Sequence, residues 1–397
     1  MLQPAAHLPT SPALRSATPR VAAIDIVRGL AMVIMALDHI REFWSPTAVR
    51  PEDVAHASVA LFLTRWITHF CAPTFVFLAG TSVFLYQQKQ ASRGAVSRFL
   101  LLRGLWLVVL EVVVINFLLQ WGYNALLLQV IWALGWSMVL LAGLIWLPRW
   151  LVGALALAFI FGQHLLPFLQ PVTRANVGWA LLYGQPFLFK LTPQLPVLVA
   201  YTVLPWAAVM AAGYAVGPWF QLPAPQRTRW LGAAGAGALL LFGALRATNW
   251  YGDPAPWSVQ ARGLLYSALS FVNVTKYPPS LLFLCLTLGV ALVLLAAWGP
   301  AGRLGRWLST YGRVPMFYYL LHFCLLSGGA FGWTALAFGK PFNLSFAPPG
   351  AGLPAGYHPS LWRAYAVWAA VVALLYWPCR WYQGYKQQHT HWWLSYL

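Results

Sequence analysis

The chain has 397 residues, 60% hydrophobic and 8% charged, with 25 Lys and Arg against 7 Asp and Glu. Soluble domains carry roughly 25% charged residues, so this composition cannot coat a globule in water and lipid must solvate much of the surface. The net charge of +18 would suit nucleic acid on a clustered basic face, but these bases stand singly or in small groups between apolar runs, as topology determinants do; nucleic acid is excluded as a partner.

Residues 1–20 are rich in Pro, Ala and Ser and lack an apolar h-region, so they read as a disordered cytoplasmic tail and not as a signal peptide. A bilayer core needs roughly 20 apolar residues per helix. Runs of that kind cover 21–43, 58–86, 99–121, 124–147, 150–170, 194–217, 230–247, 277–298, 308–328 and 359–378. The seventh is short and rich in Gly and Ala, which fits close helix–helix contact. The expected fold is all-α: a polytopic transmembrane domain over 21–380, of about ten helices, then a cytoplasmic tail at 381–397.

Basic residues set the orientation. With the N-terminus inside, the cytoplasmic segments hold Arg15 and Arg20, then Lys89, Arg93 and Arg98, then Arg149, Arg227 and Arg229, Arg303 and Arg306, and finally Arg380 and Lys386. None of these segments contains an acid, whereas the opposite loops contain Glu52, Asp53 and Asp253 besides their own Arg and Lys. Both termini are therefore expected in the cytoplasm. Cys71, Cys285, Cys324 and Cys379 lie in or beside apolar runs without CxxC spacing, so neither a disulfide frame nor a metal site is expected.

Charge inside a span is costly and calls for a reason. The first run carries Asp25, Arg28, Asp38, His39, Arg41 and Glu42. Arg28 and His39 are eleven positions apart, which puts them on one helical face roughly 16 Å apart. Asp25 and Glu42 join that face at three-residue spacing. Such a stripe suits the wall of a trans-bilayer cavity; two interfacial ion pairs that anchor a helix are the competing reading. His69 in the second run lies a turn before Pro73, where the helical ladder loosens; a polar pocket and a satisfied interfacial residue are both open there. Glu111, deep in the third run, must be paired or protonated. His164 and His322 read as hydrogen-bonded core. Arg313 could meet phosphate or snorkel, and Lys276 could bind an acidic acceptor or anchor a helix start.

Asp25-x-x-Arg28-Gly29 followed by Asp38-His39 resembles the opening helix of the heparan-α-glucosaminide N-acetyltransferase-like membrane proteins. Pro73-Thr-Phe-Val-Phe-Leu-Ala-Gly80-Thr-Ser resembles the next helix of that family. Later stretches, LPWAAVMAAGYAVG, TKYPPSLLF and GRVPMFYYLLH, look like its bacterial members. More distantly, Arg28 and His39 match the Arg-x10-His pattern of the membrane acyltransferase-3 family. The resemblance implies an enzyme of the cytoplasmic membrane that transfers an acyl group, acetyl first, from cytoplasmic acyl-CoA to a glycan or similar acceptor on the far side. By the acyltransferase-3 pattern, His39 is the catalytic residue and Arg28 is associated with the donor. The eukaryotic acetyltransferases look instead to a His in a Lys-His-Ala-Ser loop, matched here by Ala55-His56-Ala57-Ser58 across a small gap.

The chemistry agrees with that reading. Thioester acyl transfer needs a general base, and a neutral His suits. The expected catalytic set is His39, Asp38, His69 and His56; the expected binding set is Arg28, Asp25, Arg41, Glu42, Lys276 and Arg313. Acyl-CoA is the expected co-substrate, with no metal, and a homo-oligomer is compatible with the sequence. The alternative function is a transporter or channel for a small anion or a lipid headgroup.

Overall fold

The computed structural model describes residues 22–166, 177–299, 302–346 and 353–395; the expected tail at 1–20, with Arg15 and Arg20, lies outside them. In chain order the helices are α1 (Ala22–Trp44), α2 (Val59–Gln87), α3 (Arg93–Gln120), α4 (Val130–Leu144), α5 (Arg149–Leu165), α6 (Val177–Leu182), α7 (Val203–Gln221), α8 (Ala224–Thr248), α9 (Leu264–Val272), α10 (Leu281–Ala297), α11 (Arg303–Gly312), α12 (Pro315–Phe338) and α13 (Leu361–Gln388). Six of these, α2, α3, α7, α8, α12 and α13, are long and apolar enough to cross a membrane. Each expected apolar run falls on a helix, and α4, α5 and α10 are shorter apolar helices. Large exposed side chains such as Leu240, Leu336, Trp362 and Trp377 give the outer helices the surface of an integral membrane protein.

α1 lies at the centre, with 16 of its 23 residues buried. It packs on α2, α10, α11, α12 and α13. The crossing with α11 is backbone to backbone: a Cβ on Gly29 would collide with the Leu308 carbonyl, and one on Gly312 with the Asp25 carbonyl. Only glycine permits that approach. It interlocks Arg28-Gly29 with Gly312-Arg313, so both arginines meet at one end of α1. Gly80 of α2 and Gly213 of α7 make a second crossing of this kind.

The all-α expectation needs one correction. A three-stranded sheet of β1 (Leu126–Leu128), β2 (Phe187–Thr192) and β3 (Leu195–Val199) runs in the order β1-β3-β2, with β3 parallel to β1 and antiparallel to β2. The expected span at 194–217 therefore becomes helical only from Val203. Apolarity alone does not separate a short buried strand from a helix start; here Pro193 and Pro196, with the Val-rich run to Val199, favour extended backbone. The sheet has a positional consequence. Ala200 and Tyr201 donate their N–H groups to the Leu128 carbonyl at 3.0 and 3.1 Å, so the ends of β1 and β3 deliver Gln129 and Tyr201 to one place.

Two local departures from α geometry also aim side chains inward. In α2 the turn Ile67–Phe70 is 3-10, just before Pro73, and carries His69. In α3 the turn Leu110–Ile115 is π-helical and carries Glu111. Helices α6 and α9 fall where only loops were expected, and the expected run at 308–328 is divided between the end of α11 and the start of α12.

Candidate functional site

At the Arg28 end of α1 a cavity of about 360 Å³ opens among α1, α2, α3, α4, α12 and α13. Its interior is mostly apolar, with Met32, Met35, Phe75, Ile131 and Met138. Four cations reach it: Arg28, Arg103, Arg313 and Lys386. No acid lines it among the described residues. Arg28 donates to Ser82 Oγ at 2.9 Å and to the Gly312 carbonyl at 3.2 Å. Asp25, buried behind, pairs with Arg28 at 3.8 Å and with Arg313 at 3.5 Å. Its carboxylate lies within ion-pair reach of both guanidinium groups.

Deeper along α1 lies a chamber of about 180 Å³, lined by Met35, Asp38, His39, Glu42, Arg65, Cys71, Gln129, Tyr201, Lys276 and Tyr277 among others. Met35, Phe75 and Val130 belong to the walls of both cavities. Beyond it a third cavity, about 280 Å³, is lined by Arg41, Glu42, Arg50, Glu52, Arg65 and the 46–51 loop, together with Leu344, Ser345 and Leu353. Glu42 and Arg65 are shared between the chamber and this outer cavity. The three spaces thus follow one another along α1, with the His39 chamber in the middle.

Asp38 does not orient His39. It sits in an ion chain, accepting from Arg41 at 3.1 Å and, in a close contact, from Arg65. Arg41 also reaches Glu42 at 3.3 Å, and Arg65 Nε donates to Glu52 at 2.7 Å. Burial alone would raise the Glu52 carboxyl, but the Arg65 guanidinium beside it and their hydrogen bond hold it below its ordinary value. The chain fixes the wall between chamber and outer cavity. On the opposite wall Lys276 lies 5.1 Å from the Tyr277 ring centre and 5.8 Å from that of Tyr201. That segment is held from behind by Asp253, which accepts from the Thr275 N–H and hydroxyl at 2.9 Å each and from the Ser280 hydroxyl at 2.6 Å.

His39 is partnered by another imidazole. Its Nδ1 lies 2.9 Å from Nε2 of His322, a fully buried residue of α12. The two rings stack with centres 5.2 Å apart, and Phe323 stacks on His39 at 4.7 Å. The indole of Trp44 donates to the Leu326 carbonyl at 2.9 Å, which pins α1 to α12 one turn further on.

The other expected residues are scattered. His69 is buried against Phe283 and is not part of the chamber lining; its Nδ1 has no hydrogen bond among the described residues. His56 is exposed in the loop after α1 and pairs with Asp53 at 2.7 Å. This hydrogen bond, set against little desolvation, lowers the Asp53 carboxyl from its ordinary value. Glu111 is fully buried; one oxygen accepts from the Gln129 N–H at 2.9 Å, and the other has no partner among the described residues. His164 accepts from the Leu281 N–H at 3.1 Å. The expected set thus divides: Arg28 and Arg313 line the first cavity, with Asp25 behind them. Asp38, His39, Glu42 and Lys276 share the chamber, and Arg41 lies at the outer cavity.

Sequence reasoning missed several lining residues. Arg65 and Arg103 are charges inside apolar runs, and applying the cost of such charges to every run would have marked them. His322 reads from the sequence as hydrogen-bonded core, and its stretch GRVPMFYYLLH is notable there only for its family resemblance. Gln129 and Tyr201 carry no signal, since a sheet that the sequence did not reveal puts them there.

Two comparisons bear on this geometry. The family described as heparan-alpha-glucosaminide N-acetyltransferase, catalytic, matches residues 20–245, more than half of the chain and the whole of α1, α2 and α3. No curated protein matches the chain.

Proposed function

Because the chain belongs to the heparan-α-glucosaminide N-acetyltransferase catalytic family, and so is a membrane acetyltransferase by kinship, we propose how its cavities divide the reaction. The donor is acetyl-CoA. Its phosphates and adenosine meet Arg28, Arg103, Arg313 and Lys386 at the cytoplasmic mouth, and its pantetheine arm runs through the apolar cavity past Met35 and Phe75. The thioester then lies in the His39 chamber. A sugar amine or hydroxyl enters from the non-cytoplasmic side through the outer cavity, past Glu42 and Arg65.

His39 removes the proton from the acceptor nucleophile as it attacks the thioester carbon. The tetrahedral oxyanion forms in a chamber that also holds Lys276 and the phenol of Tyr277, both suited to stabilising it. On collapse the carbon–sulfur bond breaks and the imidazolium returns its proton to the departing thiolate. The products are the acetylated acceptor and CoA, with no net proton and no metal required. Ten crossings with both termini cytoplasmic give this assignment its sidedness, and the basic residues grouped at the Arg28 end support it.

One observation carries the reading: the chamber that holds His39 shares walls with a cation-rimmed apolar cavity on one side and a mixed-charge cavity on the other. The test is acetyl-CoA turnover by detergent-purified protein. His39→Ala removes turnover while CoA still binds; unchanged turnover in that variant contradicts the mechanism. A row of cavities would also serve a permeation path, and anion flux into proteoliposomes without acetyl-CoA is the result that favours transport.

A further inference from the structure

The geometry assigns His322 as a positioning residue that fixes the tautomer of His39, so that the base works from Nε2 without a carboxylate behind it. The inference rests on the acetyltransferase reading for its consequence, though not for its geometry.

His322 is fully buried, and its Nδ1 faces the backbone carbonyl of Tyr319 in its own helix. A carbonyl oxygen only accepts, so Nδ1 of His322 carries a proton. No acid pairs with this ring among the described residues: its neighbours are Tyr318 and Tyr319, Phe323 and His39. Fully buried and with no acid beside it among the described residues, the imidazole is neutral and holds a single proton. Its Nε2 therefore presents a lone pair to His39 Nδ1, 2.9 Å away. That contact is a hydrogen bond only if His39 donates from Nδ1. Neutral His39 must then keep its lone pair on Nε2, and Nε2 has no hydrogen bond to protein among the described residues.

This is the role that a carboxylate plays in the familiar triads, where it selects the tautomer and orients the ring. Here the acids that could have done so are committed elsewhere. Asp38 is held by Arg41 and Arg65, and Glu42 by Arg41. The ring is further held by the stacked Phe323 and by Tyr319 at its edge. A neutral partner has a distinct consequence. The imidazolium formed in the reaction gains one charge-assisted hydrogen bond but no ion pair from His322, so proton return to the thiolate is not opposed by a bound anion.

The test uses the full chain in detergent with ring-15N histidine, the His39 signal being identified by its absence in His39→Gln. The expected spectrum shows the resting His39 protonated on Nδ1 and bare on Nε2. A proton on Nε2 overturns the inference, whatever the activity. Rates of CoA release from acetyl-CoA give the second reading. His322→Phe keeps the ring volume but removes the acceptor, and it lowers kcat by about 10²–10⁴-fold, the range seen for lost bases and wrong tautomers. KM for acetyl-CoA stays within about twofold, since His322 is not part of the donor cavity. His322→Gln puts an amide oxygen near the place of Nε2 and restores at least about tenfold of the lost rate. A phenylalanine variant as fast as wild type, or a glutamine variant no faster than phenylalanine, refutes the positioning role. If the wild-type protein releases no CoA at all, the enzyme reading fails, while the ring spectrum still decides the tautomer.

Discussion

The two ends of the α1 stripe are charged in different ways. At the Arg28 end, four cations stand around an apolar cavity with no acid in its lining among the described residues. At the Glu42 end, Arg41 and Arg65 are threaded between Asp38, Glu42 and Glu52. A rim in which cations predominate favours a ligand with several negative charges and a long apolar or amphipathic arm. A compensated network instead offers paired donors and acceptors, which suits a hydroxylated, weakly charged ligand. The proposed division between donor and acceptor rests on this difference. His39 stands where the two regimes meet.

The sharpest way to break this comparison is at the meeting point. His39→Ala is expected to cut turnover by about 10³-fold or more while leaving CoA affinity unchanged by isothermal titration. Next is the compensated end. Arg65→Met leaves the buried Asp38 with Arg41 alone and is expected to cost about 3 kcal/mol, read as a lowered thermal unfolding midpoint in detergent. At the basic end, Arg313→Gln is expected to weaken CoA binding by about tenfold, or about 1.4 kcal/mol, with a loss that shrinks as salt screens the remaining cations. The same substitution leaves acceptor KM unchanged, which separates the two cavities.

A pH series sharpens the comparison further. The folded carboxyl of Glu52 lies below its ordinary value of 4.5 because Arg65 outweighs burial. A depressed carboxyl stabilises the fold fully above its unfolded value, and the contribution disappears as pH falls through the folded value. The stability gap between wild type and Glu52→Gln should therefore be constant above about pH 5 and close below 4.5; a gap that widens on acidification contradicts the Arg65 pairing. The smallest effect is expected at His56. It is exposed and outside all three cavities, so His56→Ala should change turnover by less than about twofold and stability by under about 0.5 kcal/mol.

Much of this was legible in the chain. The membrane class, the places of the apolar helices and the shared face of Arg28 and His39 all follow from hydropathy and a 100° repeat. Asp25, three residues before Arg28, reads correctly as its neighbour for the same reason. What stayed hidden depends on contacts between distant segments. His322 meets His39 across 283 positions, and no local pattern marks an imidazole whose partner lies on another helix. Arg65 was hidden in plain view, one charge inside a run averaged as apolar. Tyr201 and Gln129 reach the chamber only because Leu195–Val199 is a strand, and a five-residue apolar run does not declare whether it is strand or helix start. Gly29 and Gly312 look unremarkable until α1 and α11 cross, and that crossing puts Arg313 beside Asp25.

The most direct test of the central claim is a structure of the detergent-solubilised protein with a non-hydrolysable thioether analogue of acetyl-CoA. The phosphates are expected at Arg28, Arg103, Arg313 and Lys386, and the sulfur in the middle chamber with the acyl carbon about 3–3.5 Å from where His39 Nε2 can deliver a nucleophile. Density that keeps the analogue wholly within the Arg28 cavity, or on the far side of Met35 from His39, would contradict it.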